Sequence, residues 1–195
     1  DPKMARKSLD LEDYQVVTLL GWIHKRKGHD IAVEALGMLP ENFIMVFAGK
    51  SNERSIDFAN GLVKRAEQLG VLDRLRITGY LSESELEQYL LATDIALCPF
   101  RNCSASGSLS TWISVRHPRI LATDLPQIRE YNSISPNSLK LLETLSPEVI
   151  SKSVFALSNN SSTDQTLAVE ILQRQLEISI ILEQHIKRYG QLVYI

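Results

Sequence analysis

The sequence predicts an α/β domain, a doubly wound parallel sheet with helices on both faces and a long C-terminal helix. Three observations predict it. Short runs of residues that are apolar throughout recur along the 195-residue chain, as in strands buried on both faces. Amphipathic helical segments separate them. Several runs end in glycine, where a parallel sheet gives way to its crossover helix. Right-handed crossovers then produce a Rossmann-like sheet.

Residues 1–14 are polar and mixed in charge, and read as a leading segment or linker before one domain over 15–195. Gln15–Gly21 (QVVTLLG) is the first strand. A helix follows from Gly28, with Ala32, Ala35, Leu36 and Leu39 on one face and Pro40 as its stop. Phe43–Gly49 is the second strand, Asp57–Leu69 the next helix with Gly70 closing it, and Arg74–Thr78 the third strand, ending at Gly79. Ser82 and Glu85 form a capping box for the helix carrying Leu86, Tyr89 and Leu90. Ile95–Pro99 is a strand, Leu109–Val115 a helix and Ile120–Thr123 a strand, and Pro126 opens a short helix. Leu139–Leu142 suits an edge strand, and Pro147 starts a helix with Val149, Ile150, Val154 and Leu157. Beyond the polar Ser158–Thr163 loop, Leu167–Tyr189 is expected to be one long helix, with Ile178, Ile181, Leu182 and His185 on its apolar face.

Composition narrows the function classes. The apolar fraction of 44% is that of an ordinary globular domain. A net charge of −2 and a pI near 6.1 argue against a domain made to hold nucleic acid. Cys98 and Cys103 are too few for a disulfide framework or a zinc knuckle, and fit reduced thiols in the cytoplasm. No apolar run is long enough to span a bilayer. The start, Asp1-Pro2-Lys3-Met4, has neither a signal pattern nor an initiator methionine, as expected of a piece of something longer. The four histidines are scattered without metal-like pairing, and no metal is expected.

Ligands of a doubly wound sheet bind at the carboxyl ends of its strands. Helix starts there offer free N–H groups and partial positive charge. Two segments fit phosphate. Gly21–Gly28 follows the first strand: Gly21 permits a tight turn, and Lys25, Arg26 and Lys27 concentrate positive charge beside a helix start. A solvated basic loop is the alternative. Ser104–Thr111 follows the strand that ends at Pro99. Its small residues, Ser106, Gly107 and Ser108 among them, let phosphate approach the backbone, and the two hydroxyls add donors. A helix cap without a ligand is the alternative here.

Three further stretches carry a specific resemblance: Leu69–Leu75 with Ile77–Leu81, Leu91–Pro99, and Ala122–Glu130. The chain resembles the C-terminal, donor-binding domain of GT-B fold, group 1 retaining glycosyltransferases, from about Val16 to Tyr131. The resemblance implies transfer of a sugar, as in hexosyltransferases, from a UDP- or GDP-sugar to an unknown acceptor. It implies no cofactor beyond that donor substrate. In the family's Gly-Arg-x-x-x-x-Lys-Gly loop, Gly21, Lys27 and Gly28 match and Trp22 replaces the arginine. Lys27 is therefore the first candidate for a phosphate contact, with Gly21, Ser106, Gly107 and Ser108 around the diphosphate and Lys25 or Arg26 in support. Base or ribose is implied near Ile77, Thr78, Tyr80 and Thr111. The family's paired glutamates fall on Cys103 and Thr111, or in a shifted register on Ser104 and Trp112, so no carboxylate is supplied and no catalytic residue is identified. The resemblance also implies an N-terminal acceptor domain in the same protein, through which alone a membrane would be reached. Loss of the glutamates leaves a second reading open: a non-catalytic GT-B-like module that binds nucleotide sugar or protein.

Overall fold

A computed structural model describes residues 1–103, 106–159 and 163–177. Its strands are β1 (Gln15–Leu20), β2 (Phe43–Ala48), β3 (Leu75–Ile77), β4 (Ile95–Cys98), β5 (Ile120–Thr123) and β6 (Lys140–Leu142). All pair in parallel in the order β3-β2-β1-β4-β5-β6. The chain runs outward from β1 to β3, then crosses back to β4 on the other side of β1. That reversal opens a crevice between the carboxyl ends of β1 and β4.

The helices are α1 (Pro2–Ser8), α2 (His29–Leu36), α3 (Ile56–Gln68), α4 (Glu83–Ala92), α5 (Gly107–Ser114), α6 (Pro126–Ile134), α7 (Pro147–Asn159) and α8 (Thr163–Gln175). Side chains of a strand alternate between faces, so an apolar run feeds two layers at once. Val17, Leu19, Met45, Phe47, Ile95, Leu97 and Leu121 pack with Val33, Leu36, Leu62, Ala66, Ile150 and Val154 of α2, α3 and α7. On the other face, Ala96, Cys98, Ile120 and Ala122 meet Leu109, Trp112, Ile128, Val169 and Leu172 of α5, α6 and α8. Val16, Ile44 and Val46 on that face meet Ala5 of α1 and Tyr89 and Ala92 of α4. The parallel sheet covered on both faces is as predicted.

Three boundaries differ from the sequence reading. Residues 1–14 are not a free linker. Asp1 caps α1 through the Lys3 N–H at 2.8 Å, Ala5 and Leu11 are buried, and Arg6 pairs with Asp94 at 2.5 Å. Helix α2 ends at Leu36 rather than at Pro40. Arg74, in a short 3₁₀ turn just before β3 rather than in the strand, donates to the Leu36 and Pro40 carbonyls at 3.4 and 3.0 Å and so braces the turn that leaves α2. Helix α8 begins at Thr163, ahead of Leu167, and ends at Gln175, with Leu176 already in a turn, so it does not run on unbroken as expected; Ile178, Ile181, Leu182 and His185 lie outside the described residues.

Candidate functional site

The first loop is shaped by its glycines. Gly21 has φ +102, and a Cβ there would stand 2.6 Å from the Lys27 Nζ. Gly28 has φ +74, and a Cβ there would collide with the Pro99 carbonyl oxygen. Glycine therefore lets the β1 loop press directly on the β4 loop. Between the two glycines, Lys25–Lys27 makes a single 3₁₀ turn that feeds α2.

That turn aims the three cations differently. Lys25 and Arg26 are exposed, whereas Lys27 turns inward. Its ammonium donates to the Leu20 carbonyl at 2.7 Å and to the Ser108 hydroxyl at 2.9 Å. It lies 5.7 Å from the centroid of the Phe100 ring. Burial lowers its pKa. An ammonium has three N–H donors, so one is left for a ligand.

Ser106 caps α5 by accepting the Leu109 N–H at 3.2 Å, and its hydroxyl lies 3.0 Å from that of Ser108. Gly107 is the first helical residue. Gly21, Lys27, Ser106, Gly107 and Ser108 therefore converge at the crevice. His24, Arg26, Lys27, Phe100, Asn102, Cys103 and Ser106 line a cavity of about 190 Å³ there. Lys25 is not part of that lining.

Sequence reasoning missed Arg101. Its guanidinium grips both carboxylate oxygens of Asp30, at 2.7 and 2.8 Å, and donates to the Lys25 carbonyl at 2.5 Å. Its own N–H donates to the Arg26 carbonyl at 2.8 Å. One arginine thus holds the basic turn against the β4 loop. An arginine just past a strand carries no recognisable pattern, because its partners become neighbours only in the fold.

The residues expected at the base are less uniform. The Thr78 hydroxyl accepts the Gly49 N–H at 3.0 Å and so ties the loop after β3 to the loop after β2. Ile77 packs against the apolar layer, leaving its backbone for any ligand contact. Tyr80 is 78% exposed. Thr111 stands apart, one turn along α5, where its hydroxyl donates to the Gly107 carbonyl at 2.9 Å.

No register restores the missing carboxylates. Trp112 is fully buried with its ring 5.0 Å from that of His117, so that position reaches no ligand. Burial pushes the Cys98 thiol up to about 12 and also raises Cys103, so neither is a ready thiolate. Among the described residues no three His, Cys, Asp or Glu side chains converge as a metal site. Nor is any described helix long and apolar enough to cross a membrane.

The family model described as glycosyl transferases group 1 matches residues 1–109. The chain belongs to this family. A D-inositol 3-phosphate glycosyltransferase of Mycobacterium leprae is 32% identical over 100 residues, which span 51% of this chain and 23% of that protein. Two solved structures share the fold. The C-terminal domain of a group 1 family glycosyl transferase (LpcC) from Francisella tularensis superposes with a TM-score of 0.76 at 18% identity, covering 91% of this chain and 94% of that one. Anabaena Alr3699/HepE, solved in complex with UDP, gives a TM-score of 0.83 at 15% identity, covering 97% of this chain and 52% of that one. The chain thus spans about half of the Anabaena protein, and the matched stretch under a quarter of the mycobacterial relative.

Proposed function

We propose that this domain is the donor half of a GT-B glycosyltransferase of the hexosyltransferase type. It holds a UDP- or GDP-sugar by its diphosphate, and an N-terminal domain of the same protein holds the acceptor. The observation that carries this reading is the Lys27 ammonium, bonded to the last residue of β1 and to the first turn of α5, the helix that follows β4, at the point where the strand order reverses. The Anabaena neighbour, solved with UDP, supports it.

In the proposed chemistry, negative charge grows on the departing diphosphate as the sugar's anomeric bond breaks. The Lys27 ammonium and the N–H groups at the start of α5 stabilise that charge from fixed positions. Calorimetric titration with UDP and GDP at fixed salt tests the reading. Saturable binding that Lys27→Ala weakens supports it; absence of binding at millimolar nucleotide rejects it.

A second reading has a specific observation in its favour. Trp112 is buried where one register calls for a carboxylate, and neither register supplies one. A domain that binds nucleotide sugar without transferring the sugar fits that observation. Nucleotide binding by a full-length protein that neither transfers nor hydrolyses the sugar would establish it.

A further inference from the structure

Trp22, Lys50 and Tyr80 stand just beyond the ends of β1, β2 and β3. The Lys50 ammonium lies 5.3 Å from the centroid of the Trp22 ring and 5.2 Å from that of Tyr80. A cation is thus held by two π faces. Among the described residues it has no carboxylate and no hydrogen-bond acceptor, so its N–H donors remain available. Both rings face water, Trp22 at 50% and Tyr80 at 78% exposure.

These are not loose loop tips. The Gly21 N–H donates to the Ala48 carbonyl at 2.9 Å, and the Ile23 N–H to the Lys50 carbonyl at 3.0 Å. Ile23 pairs with Ser51 as a parallel bridge. The Thr78 N–H donates to the Phe47 carbonyl at 3.1 Å, and Thr78 accepts from Gly49. The backbone therefore fixes the three side chains side by side at the edge of the sheet where Lys27 lies. Two aromatic faces and an unpaired cation, carried on rigid backbone and left in water, match a planar ligand bearing negative charge.

We propose that Trp22, Lys50 and Tyr80 form the nucleoside-recognition wall of the site. The two rings grip the base of a nucleoside diphosphate by stacking, and the Lys50 ammonium leaves the ring faces for an oxygen of the diphosphate. This rests on the donor-binding reading and deepens it. Trp22 and Lys50 take on work that no sequence motif gives them, and Tyr80 gains partners. Stacking uses the π face that every base presents, so the wall supplies grip more than choice of base.

Trp22 also provides the readout. The chain has two tryptophans, and Trp112 is fully buried, so Trp22 is the one that solvent and ligand reach. The 195-residue chain is titrated with UDP, GDP and inorganic pyrophosphate, following tryptophan emission and binding heat. UDP or GDP is expected to change the Trp22 emission strongly through stacking, and pyrophosphate, which draws Lys50 off the ring but stacks on nothing, to change it less. Trp22→Ala and Tyr80→Ala each weaken nucleotide binding about tenfold and spare pyrophosphate, Lys50→Ala weakens both about tenfold, and Trp22→Phe retains most of the affinity. Circular dichroism checks that each variant folds. Nucleotide binding that needs Lys27, is indifferent to all three alanine substitutions and leaves Trp22 emission unchanged overturns the wall alone. No binding of either nucleotide or of pyrophosphate overturns the donor reading with it.

Discussion

The Lys27 ammonium donates to the Ser108 hydroxyl at 2.9 Å across 81 residues of sequence. This bond joins the loop after β1 to the start of α5. Both phosphate-suited segments therefore present one shared surface rather than two separate anion sites.

Replacing Lys27 with alanine removes that surface's half-buried cation. Loss of one charge-assisted contact is worth roughly 1.5–3 kcal/mol, or about ten- to a hundredfold in UDP or GDP affinity. The fold is also expected to register the change. The Leu20 carbonyl and the Ser108 hydroxyl each lose a donor, at about 1 kcal/mol of stability. Lys25→Ala should alter neither quantity much, because that side chain is exposed and the loop uses its carbonyl instead. Calorimetry and urea unfolding on the two variants separate these outcomes.

Gly28→Ala is expected to destabilise the domain by about 2 kcal/mol or more, through a positive φ and a collision with the Pro99 carbonyl. The β1 and β4 loops would move apart, so nucleotide affinity should fall with stability. Gly61, inside α3 with open space where its Cβ would be, is the control. Gly61→Ala should stabilise by about 0.5–1 kcal/mol. Equal effects in urea unfolding would show that Gly28 is not a point of contact between the loops.

The order of strands and helices was legible in the sequence because each apolar run serves two layers, as Val16 and Val17 do on opposite faces of β1. That the segment after β1 and the one after β4 share an edge was legible too, since the sheet type alone brings them there, but the bond between Lys27 and Ser108 was not. The roles of Arg74 and Arg101 were not. Each works by donating to backbone carbonyls in other segments, at Leu36 and Pro40 or at Lys25, and such bonds leave no trace in residue spacing. The docking of α1 was hidden for a related reason. The segment has few apolar residues, and its hold on the domain runs through Leu11, Ala5 and the Arg6–Asp94 pair.

Arg101→Met tests whether the basic turn must be held to bind ligand. The substitution removes the bidentate pair with Asp30 and the bond to the Lys25 carbonyl while keeping much of the side-chain bulk. The pair is partly exposed, so the expected stability loss is modest, about 1 kcal/mol. UDP affinity should drop several-fold although Arg101 need not touch the ligand. In combination with Lys27→Ala the losses should be less than additive, since both act on one loop. Strict additivity in calorimetry would mean that Arg101 acts independently of the Lys27 position.

The final prediction concerns pH and His29, the buried residue that opens α2. Its Nδ1 lies 3.3 Å from the His24 carbonyl oxygen, which can only accept, so Nδ1 carries the proton and the ring is neutral. Its Nε2 is buried without a partner among the described residues, and the ring meets Phe47 edge-to-face at 4.7 Å. Protonation would add a charge and a second N–H with no acceptor. Burial accordingly lowers the His29 pKa from 6.5 to about 3. The unfolded chain takes up this proton as pH falls through 6.5, and the folded chain does not until about 3. Stability is therefore full above the unfolded value and declines across that window, by at most about 1.4 kcal/mol per pH unit from this group. His117, also buried with a lowered pKa, adds a decline of the same sign. Urea unfolding of the native chain and of His29→Leu between pH 7 and 4.5 isolates the His29 share, because the other groups are common to both. The variant's stability should fall less steeply with acid, by close to one proton's worth of slope. Parallel curves would mean that His29 titrates alike in the folded and unfolded chains.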